Sequence, residues 1–146
     1  MDAAEVTSQD PKSSAFLEHL SRAIIEECGN AKNFDSPIMS LMAPTFSAVH
    51  DSLTTFENRA DFLVGMKAHF HMFPRAHLEV LNTSSDVDDE AGRADVFLFF
   101  RISGVGRGLD LKRECVALMQ WERRENGQWM AVRYKGMRGS ASFRDI

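Results

Sequence analysis

Residues 109–138, LDLKRECVALMQWERRENGQWMAVRYKGMR, decide the fold. Asn126-Gly127 is the strongest short-range hairpin signal, because both residues tolerate the left-handed backbone of a tight turn. It joins LDLKRECVALMQWERR to QWMAVRYKGMR, two long runs of strand character. A two-residue turn sets Glu125 opposite Gln128. Counting back places Arg123 opposite Met130, Trp121 opposite Val132 and Met119 opposite Tyr134. One face then holds Arg113, Cys115, Ala117, Met119, Trp121, Val132 and Tyr134. The other holds Glu114, Val116, Leu118, Gln120 and Arg133. The first is the more apolar and is the expected interior. A bulge would reverse the later assignments.

Working outward, RADVFLFFRIS (93–103) is another strand. Val96, Leu98, Phe100 and Ile102 oppose Phe97 and Phe99. Both faces are apolar, so both should be covered. AHLEVLNTSSDVD (76–88) is a further strand, with Leu78 and Val80 on one face and DDEAG as the turn that follows. Gly104, Gly106 and Gly108 make a flexible connection. GVGRG lies between strands, so no helix N-terminus awaits a phosphate, and it is not a nucleotide fingerprint.

The helices come from the first half. SSAFLEHLSRAIIEECGN (13–30) carries an apolar stripe of Leu17, Leu20, Ile24 and Cys28. Ser13 or Ser14 can cap its start and Gly29 its end. His19 lies at the margin of the stripe, beside Phe16 and Ala23. FDSPIMSLMAP (34–44) reads as a short second helix, capped by Asp35 or Ser36 and stopped by Pro44. FSAVHDSL (46–53) is a short strand whose Phe46, Ala48 and His50 share a face. ENRADFLVGMKAHFHMFP (57–74) is the third helix, capped by Asn58 with Asp61 three residues on and ended by Pro74. Its Phe62, Met66, His69 and Phe73 face one way, while Lys67 and His71 point elsewhere.

The 146 residues suit one domain with a sizeable core. Residues 1–12 are expected to be a mobile tail closed by Pro11, 13–139 the domain, and 140–146 a second tail. Net charge is −4, and no basic stripe suggests nucleic acid. Arg123, Arg124, Arg133, Lys135 and Arg138 cluster, but Glu122 and Glu125 interrupt them, as at a solvated sheet end. No apolar run suits a membrane span, and the polar start MDAAEVTSQDPKSS argues against a secretory signal. Cys28 and Cys115 are isolated, which fits buried thiols in the cytoplasm. Eleven Phe and eight Met either fill an ordinary core or surround an apolar pocket.

Three helices around one short strand, followed by four long antiparallel strands, resemble the nuclear-transport-factor-2-like fold. LMAPTFSAVHDSL before NRADFLVGM, and WERRENGQWMAVRY at the end, look most like SnoaL-like polyketide cyclases and ketosteroid isomerases. The resemblance covers residues 13–138. It implies an α+β, cystatin-like barrel: a cone-shaped, curved, mostly antiparallel sheet wrapped round a pocket that three N-terminal helices close. It also implies a homodimer through the outer sheet face, and acid–base chemistry on hydrophobic carbonyl compounds without metal or organic cofactor. The isomerases' aspartate base falls at or next to His50; here the aspartate is the neighbouring Asp51. Their oxyanion tyrosine on the first helix has His19 as its nearest counterpart.

A proton-transfer site needs a group titrating near neutrality, a donor for developing negative charge and a dry wall. His50 fits the first role, since imidazole titrates there unaided. It reads equally as a hydrogen-bonded core or rim histidine. His69 either packs on the third helix or faces His50 across a cavity. Tyr134 is a core tyrosine or a donor to a ligand carbonyl. Arg113, costly in an interior without a partner, could hold an acidic or enolate oxygen. Phe46, Phe62, Met66, Met119, Trp121 and His19 are the expected substrate walls. HFHMFPRAH, with His69, His71 and His77, lacks the spacing to grip one metal. The expected function is a cofactor-independent isomerase, cyclase or dehydratase. The alternative is a small-molecule-binding or dimeric interaction module of the same fold.

Overall fold

The structure is a computed structural model, and it describes residues 11–50, 55–105 and 112–138. Helix α1 spans Pro11–Glu26. Pro11 opens it rather than closing a tail, because proline lacks only an N–H that the first turn leaves unbonded. Ser13 therefore lies inside the helix, where its hydroxyl donates to Asp89 Oδ1 at 3.1 Å. Leu17, Ile24 and Cys28 are buried as the stripe requires, and Leu20 packs beside them half-buried. Gly29 does not end the helix. The chain widens into a π-turn, Glu27–Ala31, and Lys32 takes the left-handed conformation with φ 54°.

The expected second helix shrinks to a single 3-10 turn, Pro37–Leu41, with the Ser36 hydroxyl accepting from the Ile38 N–H. Two α-helices, not three, are therefore present among the described residues. Pro44 stops nothing. It sits inside strand β1, Met42–His50, in the stretch between Met42 and Ser47 where pairing is irregular. β1 is an edge strand, where a missing N–H is tolerated. Phe46 and Ala48 are buried, and His50, half-buried, follows on the same face. Asp51 and the rest of that expected strand lie outside the described residues. Helix α2, Arg59–Met72, begins as the sequence requires, with Asn58 Oδ1 accepting from the Asp61 N–H at 2.8 Å.

Four strands follow: β2 (His77–Asp88), β3 (Arg93–Ser103), β4 (Lys112–Arg123) and β5 (Trp129–Arg138). The sheet order is β1-β5-β4-β3-β2. β1 runs parallel to β5, and the remaining pairs are antiparallel. The curved sheet is unclosed. Gly106, Gly108 and most of GVGRG lie outside the described residues.

The last hairpin has a three-residue loop, not two. The Arg124 N–H donates to the Gln128 carbonyl at 2.7 Å, the Gly127 N–H donates to the Arg124 carbonyl at 2.8 Å, and Gly127 adopts φ 88°. That extra residue shifts the first pairs to Arg123 with Trp129 and Trp121 with Ala131. A bulge at Val132 then restores Met119 opposite Tyr134. The interior face survives almost whole: Cys115, Ala117, Met119, Trp121 and Tyr134 are buried, and Ala131 replaces Val132 among them. A second bulge, at Leu81 in β2, bends the other edge.

α1 lies along the concave face of β2, and polar contacts fix it there. Glu18 accepts from Thr83 at 2.7 Å and from Ser85 at 2.5 Å. Ser21, fully buried, accepts from the Trp121 indole N–H at 2.9 Å. Asn30 takes both backbone groups of Leu78, at 2.6 and 2.9 Å, as a neighbouring strand would. No helix among the described residues is long and apolar enough to cross a membrane.

Ser21→Ala leaves a buried indole N–H without its acceptor. Unfolding free energy from urea titration should fall by about 1–3 kcal/mol, the usual cost of orphaning a buried donor.

Candidate functional site

The end of the sheet near Trp121 is filled by α1. The other end is hollow. Between it and α2 lies a cavity of about 310 Å³. Its walls come from the second half of α1, from β1, from α2, and from the inward positions of β3, β4 and β5. The cavity brings together most of the residues expected from sequence. His50, His69, Arg113 and Tyr134 line it, as do Phe46, Phe62, Met66 and Met119.

Two expected residues are elsewhere. His19 is exposed on α1 and does not reach the cavity. It lies two positions beyond buried Leu17, about 200° round a helix of 3.6 residues per turn. Trp121 is buried in the filled end of the core, where Ser21 holds its indole, and it lines no part of the cavity. His71 and His77 are exposed. Among the described residues, no three His, Cys, Asp or Glu are grouped as metal ligands.

His50 and Tyr134 meet over Gly136. Parallel pairing sets His50 beside Gly136, and Tyr134 precedes it by two on the same face of β5. A methyl group at Gly136 would sit 2.6 Å from His50 Cδ2 and 2.8 Å from Tyr134 Oη. Only a residue without a side chain leaves room for both rings. Tyr134 also packs against Phe62 at 6.3 Å between ring centroids, and Phe62 meets Phe46 at 5.2 Å and Phe56 at 5.9 Å. Phe56 was not readable as a wall. It arrives through two 2.8 Å backbone bonds with Ala48, and isolated bridges of that kind have no periodic signature.

His69 projects from α2 onto the cavity, against Phe70 and Phe73 at 5.1 and 5.2 Å. Burial there lowers its pKa from the ordinary 6.5, so the ring is neutral at pH 7. A neutral imidazole offers one acceptor and one donor. Cys28 also lines the cavity; burial, with Glu27 beside it, pushes its thiol up to about 12. It is a protonated apolar wall and no nucleophile. Cys115 lines the opposite side, its Sγ 4.0 Å from the Arg113 carbonyl oxygen. The arrangement supplies imidazole, phenol and guanidinium groups to one largely apolar space.

No protein-family model and no curated protein matches the sequence. Solved structures do match in shape. A candidate dehydratase of the nuclear-transport-factor-2-like family from Streptomyces avermitilis superposes with TM-score 0.72 at 16% identity, over 89% of this chain and 98% of that one. An uncharacterised cystatin-like-fold protein from Caulobacter vibrioides gives 0.72 at 13% identity, covering 85% and 87%. Nuclear transport factor 2 from Cryptosporidium parvum gives 0.62 at 13% identity, covering 84% and 90%. At these identities the likeness shows the fold: a nuclear-transport-factor-2-like, cystatin-like α+β architecture.

The His69 shift has a pH signature. Its folded pKa lies below 6.5, so between the two values the unfolded chain binds more protons than the folded one. Stability should therefore fall as pH drops through 6.5. Parallel urea titrations from pH 7.5 to 5 should show a shallower fall for His69→Leu than for the wild type.

Proposed function

We propose that this chain is a small cofactor-independent acid–base enzyme of isomerase, cyclase or dehydratase type. Its substrate is a hydrophobic carbonyl-bearing small molecule held in the cavity. The observation that carries this reading is the meeting of His50 and Tyr134 over Gly136, at the wall of an apolar cavity. A structural pair would not need to open onto that space. The fold likeness to a candidate dehydratase supports the reaction class.

In this reading His50 removes a proton from the carbon beside the carbonyl. The electron pair moves into the carbonyl, and the enolate oxygen accepts a hydrogen bond from Tyr134 or from neutral His69. The apolar walls strengthen those bonds because no water competes for them. Returning the proton to a different carbon isomerises the substrate. Attack of the enolate carbon on a second carbonyl closes a ring. Expulsion of a β-hydroxyl with the His50 proton releases water. Buried cysteines at positions 28 and 115 fit a cytoplasmic setting. A binding module is the second reading, favoured by the mostly apolar lining of the cavity.

The outer face of the sheet fits a second copy of the chain. Phe97, Phe99, Val116 and Met137 are 42%, 37%, 42% and 52% exposed there. Polar rows flank them: Glu79, Arg101 and Glu114 on one side, and Asp95, Gln120 and Arg133 on the other. Such an apolar centre with a polar rim suits a two-fold self-association.

Two measurements test these readings. Deuterium wash-in beside the carbonyl of a bicyclic ketone such as 1-decalone should be catalysed by the wild type. His50→Ala should slow it by about a hundredfold or more, the scale of losing an acid–base group; an unchanged rate removes His50 from the chemistry. Sedimentation at micromolar concentration should give a dimer, converted to monomer by Phe97→Asp, and a wild-type monomer contradicts the paired sheet.

A further inference from the structure

Resting on the reading of the cavity as a ligand site, we infer that its occupant is a hydrophobic monocarboxylate, anchored by Arg113 at the end remote from His50. Arg113 lines the cavity with Ile102, Val105 and Cys115. Strand alternation isolates it there. Glu114, the next residue, points to the outer face, where Arg101 holds it at 3.5 Å. Glu79 is held by the same Arg101 at 3.7 Å. Among the described residues no carboxylate pairs with Arg113. A guanidinium at an apolar wall is costly without an anion, and its planar fork matches a carboxylate in two parallel hydrogen bonds. Among the described lining residues, one arginine and no carboxylate on mostly apolar walls call for a single negative charge on a greasy body.

Position along the sheet separates this anchor from the proposed chemistry. Gly136, over which His50 and Tyr134 meet, pairs with Ala117 on β4. Arg113 is four residues further along that strand, about 13 Å at about 3.3 Å per residue. This offset along the strand sets the anchor toward the other end of the cavity from Gly136. The carboxylate therefore sits at the Ile102–Val105 end, and the reacting carbonyl several bonds away, beside His50. The substrate class is a hydrophobic oxo acid, whose carboxylate adds an anchor that a neutral ketone lacks.

Decanoate and its neutral isostere decanamide, titrated calorimetrically at pH 8, test this on the intact protein. Wild type should bind decanoate at least about tenfold more tightly, the scale of a charge-assisted bond to a half-buried cation. Arg113→Gln should erase the preference, and Arg113→Lys, which keeps the charge, should retain part of it. Equal binding of the two probes by wild type overturns the inference, whether or not the variants fold. A preference surviving in Arg113→Gln overturns the assignment to that residue. Binding of neither probe overturns both the anchor and the cavity as a ligand site. The preference is read at equilibrium and needs no turnover. A failed exchange assay beside an intact preference therefore sinks only the catalysis, and the reverse sinks only the anchor.

Discussion

The buried hydrogen bond from Trp121 to Ser21 fixes where this fold is solid and where it is hollow. It belongs to a set. Ser13 reaches Asp89 at the start of α1, Glu18 holds Thr83 and Ser85 one turn on, and Asn30 clasps the Leu78 backbone beyond its end. Each of these bonds has a preferred geometry, so the helix cannot slide along the sheet to find tighter apolar packing. The Trp121 ring and the Leu17 side chain fill one end of the concave face. At the other end α1 presents Ile24, Ile25 and Cys28 to a space it does not reach across, and α2 closes that space from the side. A purely greasy interface would have been freer to collapse. Polar staples with fixed lengths keep the two layers apart, so packing stops short of filling the interior.

A second constraint acts at the far edge. β1 joins the sheet in parallel beside β5, and this pairing places His50 level with Gly136. A one-residue slip would turn the imidazole to the other face. Gly136 then does two things. Its missing side chain lets both rings approach, and its position on the inner face turns them toward the cavity. The same pairing explains how Pro44 is tolerated, since the irregular stretch of β1 asks for no donor there. Topology thus delivers the juxtaposition, and local sequence only permits it.

What the sequence revealed follows from this division. Elements with regular periods were legible: the α1 stripe, the Asn58 cap, and the β3 run of Val96, Leu98 and Phe100. So was the interior face of the last hairpin, although through two opposing departures. The loop at Asn126-Gly127 holds one more residue than the shortest turn, and the bulge at Val132 takes that residue back. Met119 faces Tyr134 as a result, while the pairs nearer the turn differ. Features that depend on distant pairing were not legible. Phe56 reaches the cavity through an isolated bridge, and Gly136 matters only because a strand from the other half of the chain lies beside it. His19 was misplaced because the margin of a helical stripe faces solvent wherever the neighbouring layer is narrow. The expected second helix closes after one 3-10 turn because Met42 already takes the extended backbone that begins β1.

Electrostatics sharpens the contrast between the sheet's two faces. On the outer face Arg101 sits between Glu79 and Glu114, exposed enough that each pair contributes little to stability. On the inner side, Arg113 and Cys115 of β4, His69 of α2 and Cys28 after α1 stand against aromatic and aliphatic walls. Burial lowers the pKa of His69 and raises that of Cys28. These are opposite shifts from one cause, since each favours the neutral form. An interior that discharges its own titratable groups in this way is poor at holding a free ion. It is correspondingly strong in holding one that arrives opposite a fixed cation, or one that forms beside aligned donors, because little water screens either. The same dryness that makes the walls apolar is what would give its few polar groups leverage over a bound molecule.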